Sequence, residues 1–528
     1  MRRLGCFALI IFEIAFLTVL ILAARSANHQ DVFVAGNIYF VDADCYARMT
    51  RAEMVKARPG LIIRHHAFEN FPHGTTPHTT APLDYVIAGL SFILSPFTAH
   101  TLDFAGAFVS PFLALLGGWF LWWWSRRMKF RYRWIMLILY AISPILVHGT
   151  ELGRPDHQSL AMLLVTVAIC AEWSSQTLQP ANTANPWWLM GASAWALAIW
   201  VSAYEPLVLF LLVMTVALVM NRRAIFGRDR RTGWILFAGI IAIAFAVERR
   251  LPSFPILRAA SYFKNWGSTI GELARVSPLN PVWLNWCGYL LLVTPILIWL
   301  SVRTPANGAL GVRALPVFVL LIATYVFTIW QARWGYFFVL IFALALPALL
   351  APIKPGAAVW IAFVLSLFPI LRDWDERLWP NESQLAAHIE KRIESAQLRD
   401  LAEKLQSPEV HPFLAPWWLS PSIAYWSGQP GVAGSSHESL EGIDESARFF
   451  LSENLREARV ILEKCHVAWV FAYDSDRVAQ NSVALLNQPL PRQPLCRILY
   501  QTPSQAPAFL FFFAQNPTSK LYRVNVER

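Results

Sequence analysis

Three short segments of the chain each place an acidic side chain beside an apolar run. They are residues 42–48 (DADCYAR), 153–158 (GRPDHQ) and 268–273 (STIGEL). Carboxylates from separate loops can converge on one hard divalent cation, because such cations prefer oxygen ligands. A cation held in this way neutralises a phosphate leaving group and acts as a Lewis acid. Each motif also has an ordinary explanation, since a carboxylate at the start of a helix commonly caps it.

The composition indicates that the elements positioning these motifs lie mainly in a membrane. Of the 528 residues, 56% are hydrophobic and only 15% are charged, and the mean hydropathy is +0.42. An average soluble domain carries roughly 25% charged residues. The same numbers exclude disordered, collagen-like and small disulfide-rich classes. We therefore predict a polytopic membrane protein with one soluble part.

The net charge of +10 is concentrated in two basic clusters, at residues 126–133 and 222–231, each between apolar runs. Positive charge in short loops marks the cytoplasmic side of a membrane. No RNA-binding motif accompanies the clusters. We therefore predict cytoplasmic loops at both places and no nucleic-acid partner.

Apolar runs define the predicted membrane spans. Residues 4–24 are long enough to cross a ~30 Å hydrocarbon core, and we predict a retained first span with a cytoplasmic N-terminus. Glu13 within it is expected to pair with another helix. Residues 83–97 form a short apolar segment that we place at the membrane surface, because a crossing there would turn the loop 126–133 outward. Further spans are predicted near 102–124, 134–150, 158–173, 187–201, 206–220, 233–248, 283–302, 315–330, 335–351 and 356–371.

This topology predicts that the three acidic motifs share the outer side of the membrane. The outer loops are residues 25–101, 151–157, 249–282 and 331–334, followed by everything after 372. Charged residues become frequent after Arg372, and strand-like runs occur at 466–473 and 509–514. We therefore predict a transmembrane domain over residues 1–371 and a soluble extracytoplasmic α/β domain over residues 372–528.

The motifs resemble those of the catalytic subunit of oligosaccharyltransferase, a membrane glycosyltransferase of the GT-C superfamily. Asp44, Tyr46 and Arg48 match that family's first outer-loop motif, Asp156 matches the acidic residue opening its second, and Thr269, Ile270 and Glu272 match its third. The order and the predicted sidedness of the motifs agree with the family over most of residues 1–440. The resemblance implies a polytopic α-helical GT-C fold with about 11–13 spans and a C-terminal soluble α/β domain.

The resemblance also implies roles for individual residues. Asp44, Asp156 and Glu272 would hold Mg²⁺ or Mn²⁺, and Asp44 with Glu272 would orient the acceptor nucleophile. Arg333, in the segment 331–334 (QARW), would bind the donor's phosphates, for which a guanidinium group is well shaped. The alternative for Arg333 is an arginine that snorkels to the membrane surface. The family motifs also imply substrate contacts by Tyr46, Arg48, Trp417 and Trp418.

Two positions depart from the family pattern. Two residues after Asp156, where the family has its second metal-binding group, this chain has Gln158, a neutral and poorer ligand for which His157 could substitute. The family's Trp-Trp-Asp-Tyr-Gly motif, which reads the hydroxyl of an Asn-x-Ser/Thr acceptor, corresponds to residues 417–421 (WWLSP). The Trp pair is kept and the Asp and Tyr are absent, so reading of that sequon is not implied.

These observations predict an inner-membrane glycosyltransferase of a bacterium or archaeon that acts on the outer face. It would take a glycan from a polyprenyl-pyrophosphate-linked donor and transfer it to a protein or other acceptor. One alternative keeps the fold but uses a polyprenyl-phosphate sugar to modify a lipid, glycan or hydroxyl acceptor. Another is a transporter or flippase, which would require ionisable residues deep within the spans.

Four histidines in the first outer loop, His65, His66, His73 and His78, invite comparison with zinc sites. Their spacing matches no standard zinc motif. We therefore predict a flexible outer loop near the donor instead.

Overall fold

The computed structural model describes residues 2–177, 186–220, 225, 227–250, 260–303 and 308–525. Arg222 and Arg223 of the second basic cluster, and residues 251–259 of the predicted loop 249–282, lie outside the described residues. The chain forms two compact units. The first comprises Met1–His29, Phe108–Val247 and Arg275–Asn381, and the second comprises Gln30–Ala107, Glu248–Ala274 and Glu382–Arg528.

Helices make up most of the described chain. From the N-terminus to the middle they are α1 (Arg2–Arg25), α2 (His29–Val32), α3 (Ala43–Ala57), α4 (Ala81–Leu94), α5 (Thr101–Arg127), α6 (Arg133–Ile142), α7 (Pro144–His148), α8 (His157–Thr177), α9 (Pro186–Val201), α10 (Tyr204–Met220), α11 (Arg228–Glu248) and α12 (Ala260–Ser268). They continue as α13 (Val282–Cys287), α14 (Leu290–Arg303), α15 (Gly308–Trp330), α16 (Gly335–Leu350), α17 (Gly356–Ser366), α18 (Phe368–Leu378), α19 (Glu382–Glu403), α20 (Ser420–Ser427), α21 (Leu440–Leu451), α22 (Leu455–Lys464), α23 (Ser475–Leu486) and α24 (Leu495–Gln501).

The first unit is built around α16. All sixteen residues of this helix are buried, and it packs against α6, α7, α8, α13, α14 and α15. A helix that is apolar all round is expected at the centre of a bundle, because no face of it has a polar surface to present. The predicted spans coincide with helices of this unit, although Ser143 and Gly288 divide two of them into shorter pieces.

Among the described residues, six helical stretches are long and apolar enough to cross a membrane. Five further apolar helices are shorter, and one of them is α4, the segment predicted to lie at the membrane surface. Its 14 residues extend about 21 Å at 1.5 Å per residue, which is less than the ~30 Å of a hydrocarbon core. Its surface position stays a prediction.

Glu13 is paired across helices, as predicted. Its carboxylate accepts hydrogen bonds from Trp122 at 2.9 Å and from Arg126 at 2.8 Å, and it also pairs with Arg133. The side chain is only 8% exposed. Three donors therefore compensate one buried acidic group, which is the arrangement that a charge in a low-dielectric environment requires.

The second unit contains a small sheet packed with helices. Its strands are β3 (Phe413–Leu414), β4 (Trp469–Ala472), β5 (Leu510–Gln515) and β6 (Lys520–Val524), in the order β3-β4-β6-β5. The strands β3 and β4 are parallel and the other pairs are antiparallel. A two-stranded ribbon, β1 (Phe33–Val34) with β2 (Asn37–Ile38), precedes α3. The helical bundle and the C-terminal sheet confirm the predicted fold class.

Backbone hydrogen bonds fasten the loop 61–80 to the segment 431–442 within the second unit. The Phe71 N–H donates to the Gly431 carbonyl at 3.1 Å, and the Gly431 N–H donates to the Phe68 carbonyl at 3.0 Å. The Gly442 N–H donates to the Asn70 side chain at 2.8 Å. We call this contact the loop seam. It is tight at Gly442, where a Cβ atom would lie 1.8 Å from the Val432 carbonyl oxygen.

The replacement Gly442→Ala should destabilise the second unit, because the added methyl group meets backbone that cannot rotate away. We expect a loss of about 1–3 kcal/mol, as for overpacked cores, and a fall in Tm of roughly 3–10 °C. Thermal unfolding of the full chain in detergent measures it. The matched control is Gly89→Ala in α4, where a Cβ meets open space, and it should leave Tm unchanged or raised. An unchanged Tm for Gly442→Ala would contradict the tight seam.

Candidate functional site

The first acidic motif lies at the N-terminus of α3. Asp42 is the helix cap, and its carboxylate accepts a hydrogen bond from the Cys45 N–H at 3.0 Å. Asp44 lies in the first turn and is exposed. A carboxylate at this end of a helix is stabilised by the helix dipole. The two aspartates therefore differ: capping occupies Asp42, whereas Asp44 faces solvent.

Tyr46, predicted to contact substrate, is buried within the second unit. Its ring packs edge-on against Phe40 at 5.2 Å and Trp426 at 5.1 Å between centroids, and its hydroxyl accepts from the Phe40 N–H at 3.1 Å. Burial raises the pKa of the Tyr46 phenol well above its usual value. These contacts orient α3 against α20. Direct contact of Tyr46 with substrate stays a prediction.

Arg48 is also turned into the second unit. It forms an ion pair with Asp84 of α4 at 2.7 Å and donates to the Thr80 carbonyl at 3.3 Å. The side chains of Arg48 and Asp84 are only 2% and 5% exposed. This pair fixes α3 to α4, and the structure thus gives Arg48 a positioning contact that the sequence did not reveal.

The third acidic motif forms a short turn after α12. Glu272 lies in a 3-10 turn, Gly271–Leu273, and is half-buried. The flanking Ile270 and Leu273 pack into an apolar cluster with Trp266 and Trp417. The cluster fixes the backbone on both sides of Glu272.

The Trp pair lies against this turn. Trp417 contacts the ring of Trp266 at 6.2 Å and that of Trp418 at 5.9 Å, and its indole N–H donates to Asn481 at 2.8 Å. Residues 420–427, which follow the pair, form α20. We call residues 417–427 the aromatic bridge, because Trp417 reaches the Glu272 turn and Trp426 reaches α3.

In the first unit, Asp156 immediately precedes α8. Its carboxylate lies 2.6 Å from Nδ1 of His157, and the two side chains are 13% and 12% exposed. The next residue, Gln158, is buried at 5% exposure. His157 is therefore a residue whose ring adjoins the Asp156 carboxylate, and its role as a second ligand stays a prediction.

Arg333 lies in the turn before α16 and pairs with Glu205 at the start of α10. The guanidinium carbon is 5.6 Å from the centre of the Tyr204 ring, and the side chain is 21% exposed. Neither of the two predictions for Arg333, phosphate binding or snorkelling to the membrane surface, included the Glu205 carboxylate. The signal was present in the sequence, because Glu205 and Arg333 each lie at the predicted outer end of a span and oppositely charged span ends tend to pair.

A polar network joins the Asp156 loop to the Arg333 turn within the first unit. Arg154 approaches Glu151 at 3.3 Å and Nε2 of His148 at 3.1 Å. Nδ1 of His148 lies 2.8 Å from the hydroxyl of Tyr336, three residues after Arg333. The residues His148 and Tyr336 had no motif to mark them. They are positioning residues that bring two predicted donor-side groups into one part of the unit.

The predicted site residues therefore fall into two sets. The first unit contains Asp156, His157, Gln158 and Arg333, and its polar network joins the loop before Asp156 to the turn that carries Arg333. The second unit brings together the elements that carry Asp44 and Glu272, because both pack on the aromatic bridge. Each set offers carboxylate oxygens, and the first adds a guanidinium group and an imidazole. Such groups can bind a divalent cation and a phosphate.

Comparison with known proteins shows similarity in structure only. No protein-family model matches the chain, and no curated protein matches it in sequence. The archaeal oligosaccharyltransferase AglB from Archaeoglobus fulgidus, in complex with an inhibitory peptide and a dolichol-phosphate, is similar with a TM-score of 0.67 and 14% identity over 97% of this chain and 74% of that one. The complex of the A. fulgidus enzyme with zinc and sulfate is similar with a TM-score of 0.63 and 14% identity, over 97% of this chain and 73% of that one.

The structure of ArnT from Cupriavidus metallidurans bound to undecaprenyl phosphate is similar over nearly the full length of both proteins. Its TM-score is 0.58, with 16% identity over 98% of each chain. AglB and ArnT are both GT-C glycosyltransferases. The chain is accordingly a multi-pass membrane protein with the GT-C fold.

The replacement Arg48→Met tests whether Arg48 acts through the buried ion pair. Removal of Arg48 leaves the buried Asp84 carboxylate with the more distant Arg51, 3.8 Å away, and breaking one side of a buried pair costs about 3–5 kcal/mol. We expect a large fall in Tm, measured by thermal unfolding in detergent. The double variant Arg48→Met/Asp84→Asn should regain only part of the loss, because it removes the buried carboxylate but also takes that partner from Arg51. A normal Tm with lost catalytic activity would instead identify Arg48 as a substrate contact.

Proposed function

We propose that this protein is a glycosyltransferase that moves a glycan from a polyprenyl-pyrophosphate-linked donor to an acceptor on the outer face of the membrane. The similarity over 97% of the chain to an oligosaccharyltransferase carries the proposal. The outer loops are proposed to face the periplasm or cell exterior, with the N-terminus in the cytoplasm. The domain division at residue 372 belongs to the same proposal.

The proposed cofactor is Mg²⁺ or Mn²⁺. Asp44, Asp156 and Glu272 would supply ligands, together with His157 or Gln158. Exposed Asp44 and half-buried Glu272 suit a hard cation in their oxygen chemistry. Such an ion supplies Lewis-acid stabilisation of the leaving phosphate.

The chain's own residues would act on the donor and the acceptor as follows. Arg333 would donate hydrogen bonds to the donor's phosphates. A guanidinium group has five N–H donors, so pairing with Glu205 fixes its orientation and still allows phosphate binding. In the reaction, the bond between the anomeric carbon and the phosphate oxygen breaks and a bond to the acceptor forms. Asp44 and Glu272 would orient the acceptor nucleophile and receive its proton, while the phosphate departs as an anion.

The acceptor side is where this chain departs from the oligosaccharyltransferase motif. Leu419 occupies the position of the missing aspartate, and Ser420 is buried, with its hydroxyl near the Ala415 and Pro416 carbonyls. Neither residue offers a carboxylate to a hydroxyl group of an acceptor. Trp417 and Trp418 are half-buried and would contact the acceptor through their rings. We therefore leave the class of acceptor open to a protein, a lipid or a glycan.

One observation favours a second candidate function. The ArnT structure, which contains undecaprenyl phosphate, is covered over 98% of its length, whereas AglB is covered over 74%. A polyprenyl-monophosphate sugar is thus an alternative donor, with a lipid, glycan or hydroxyl acceptor. Assays of the purified chain with monophosphate and pyrophosphate donors, each against peptide and lipid acceptors, distinguish the two functions.

Neutralising the predicted acidic residues should abolish transfer. The variants Asp44→Asn, Asp156→Asn and Glu272→Gln remove charge with little change in size, and each should lower kcat by about 10²-fold or more, since preorganised electrostatic groups have effects of this order. The measurement is in vitro transfer from a lipid-linked donor. Chelation should stop the wild-type reaction, and added Mg²⁺ or Mn²⁺ should restore it.

The matched control is Asp42→Asn, two residues before Asp44. Asparagine preserves the cap on α3, so this variant should keep most of its activity. Full activity in Glu272→Gln, or equal losses in Asp42→Asn and Asp44→Asn, would contradict the assignment.

The replacement Arg333→Lys should weaken donor binding while the chain stays folded. Lysine keeps the charge but loses the two-pronged contact with phosphate. We expect KM for the donor to rise about tenfold, which corresponds to 1.4 kcal/mol, with a smaller change in kcat. The control replaces Arg303, whose guanidinium carbon lies 4.8 Å from the centre of the Trp299 ring, with lysine. An unchanged KM for Arg333→Lys would assign Arg333 to the Glu205 pair alone.

A further inference from the structure

We propose that His78, His437 and Glu438 form a structural zinc site that fastens the loop seam of the second unit. The three ligand atoms come from two segments 360 residues apart. Within the described part of the chain, these three residues form a group that could hold a metal ion, because their ligand atoms lie within 4.8 Å of one another. None of them belongs to the acidic motifs assigned to catalysis.

The geometry places one carboxylate between two imidazoles. Oε1 of Glu438 lies 2.6 Å from Nδ1 of His78, and Oε2 lies 3.7 Å from Nδ1 of His437. The two imidazole rings are 4.9 Å apart between centroids. Oε2 is buried and accepts no hydrogen bond of ordinary geometry from the described residues. A buried carboxylate oxygen in this state can accept a bond from a water molecule or a cation.

The type of ligand selects the metal. Two imidazole nitrogens and one carboxylate form a His₂Glu set, which suits zinc and leaves a fourth position for water. Magnesium prefers oxygen ligands alone. Around a tetrahedral ion with bonds near 2.1 Å, ligand atoms are roughly 3.4 Å apart. The widest pair must therefore close by at most about 1.4 Å, a movement that rotation of a side chain provides.

Zinc at this position would cross-link a contact that already exists. The loop 61–80 meets the segment 431–442 through backbone hydrogen bonds of Phe71 and Gly431 and through Asn70. His78 lies at the end of this loop, two residues before the Thr80 cap of α4. A metal bond there closes a long loop, which adds stability because the ion binds only the folded chain.

Zinc content and metal-dependent stability test the site in the purified full-length chain. Wild type, dialysed against micromolar zinc, should retain about one zinc per chain at this site, and its Tm should fall on chelation and recover with zinc. The variants His78→Gln and His437→Gln should lower zinc affinity by more than tenfold, since even outer-shell changes cost 10–100-fold. X-ray absorption should show nitrogen and oxygen ligands at 2.0–2.1 Å.

The control is His73→Gln in the same loop. His73 is 60% exposed and lies 4.0 Å from Glu441, so its loss should leave zinc binding unchanged. Asp44→Asn and Glu272→Gln should also retain this zinc, which separates the site from the proposed catalytic metal. Absence of bound zinc in wild type, or zinc retained with unchanged affinity in both His78→Gln and His437→Gln, would overturn the proposal without touching the glycosyltransferase assignment.

Discussion

The aromatic bridge is the interaction on which the acidic residues of the second unit depend. Trp417 packs on the element that ends in Glu272, and Trp426 packs on the helix that begins near Asp44. Aromatic pairs contribute about 0.5–1.5 kcal/mol each beyond the burial of their area. The backbone that carries the two carboxylates is therefore positioned by apolar packing on the aromatic bridge.

A different constraint governs the first unit, where buried charges are paired. Glu13 pairs with Arg126 and Arg133, and Arg333 pairs with Glu205. An isolated charge in such an environment costs several kcal/mol. Glu205 therefore balances the charge of Arg333 within the fold. Under the proposed function, the same pairing would also orient the guanidinium group toward the donor's phosphates.

The sequence predicted features that depend on neighbouring residues, and it missed those that depend on distant ones. Apolar runs of sufficient length predicted the spans and the fold class, and acidic residues beside these runs marked Asp44 and Asp156 as candidates. The partner of Arg48 lies 36 positions away in the chain and no local pattern marks it. The partner of Arg333 lies 128 positions away and is indicated only by its place at the predicted outer end of a span. The spacing of the loop histidines likewise could not show that His78 lies beside Glu438, 360 positions away in the chain.

One of the two departures from the oligosaccharyltransferase motifs, at residues 417–421, falls where the acceptor would bind. Both tryptophans of the motif are present. Their rings pack within the aromatic bridge, so their presence alone does not imply that the protein recognises an Asn-x-Ser/Thr acceptor. The aspartate that would read a hydroxyl is replaced by Leu419, and Ser420 is buried. A position freed from acceptor recognition can change without loss of the fold. The same scaffold can thus keep its acidic groups and its arginine while the chemistry of the acceptor changes.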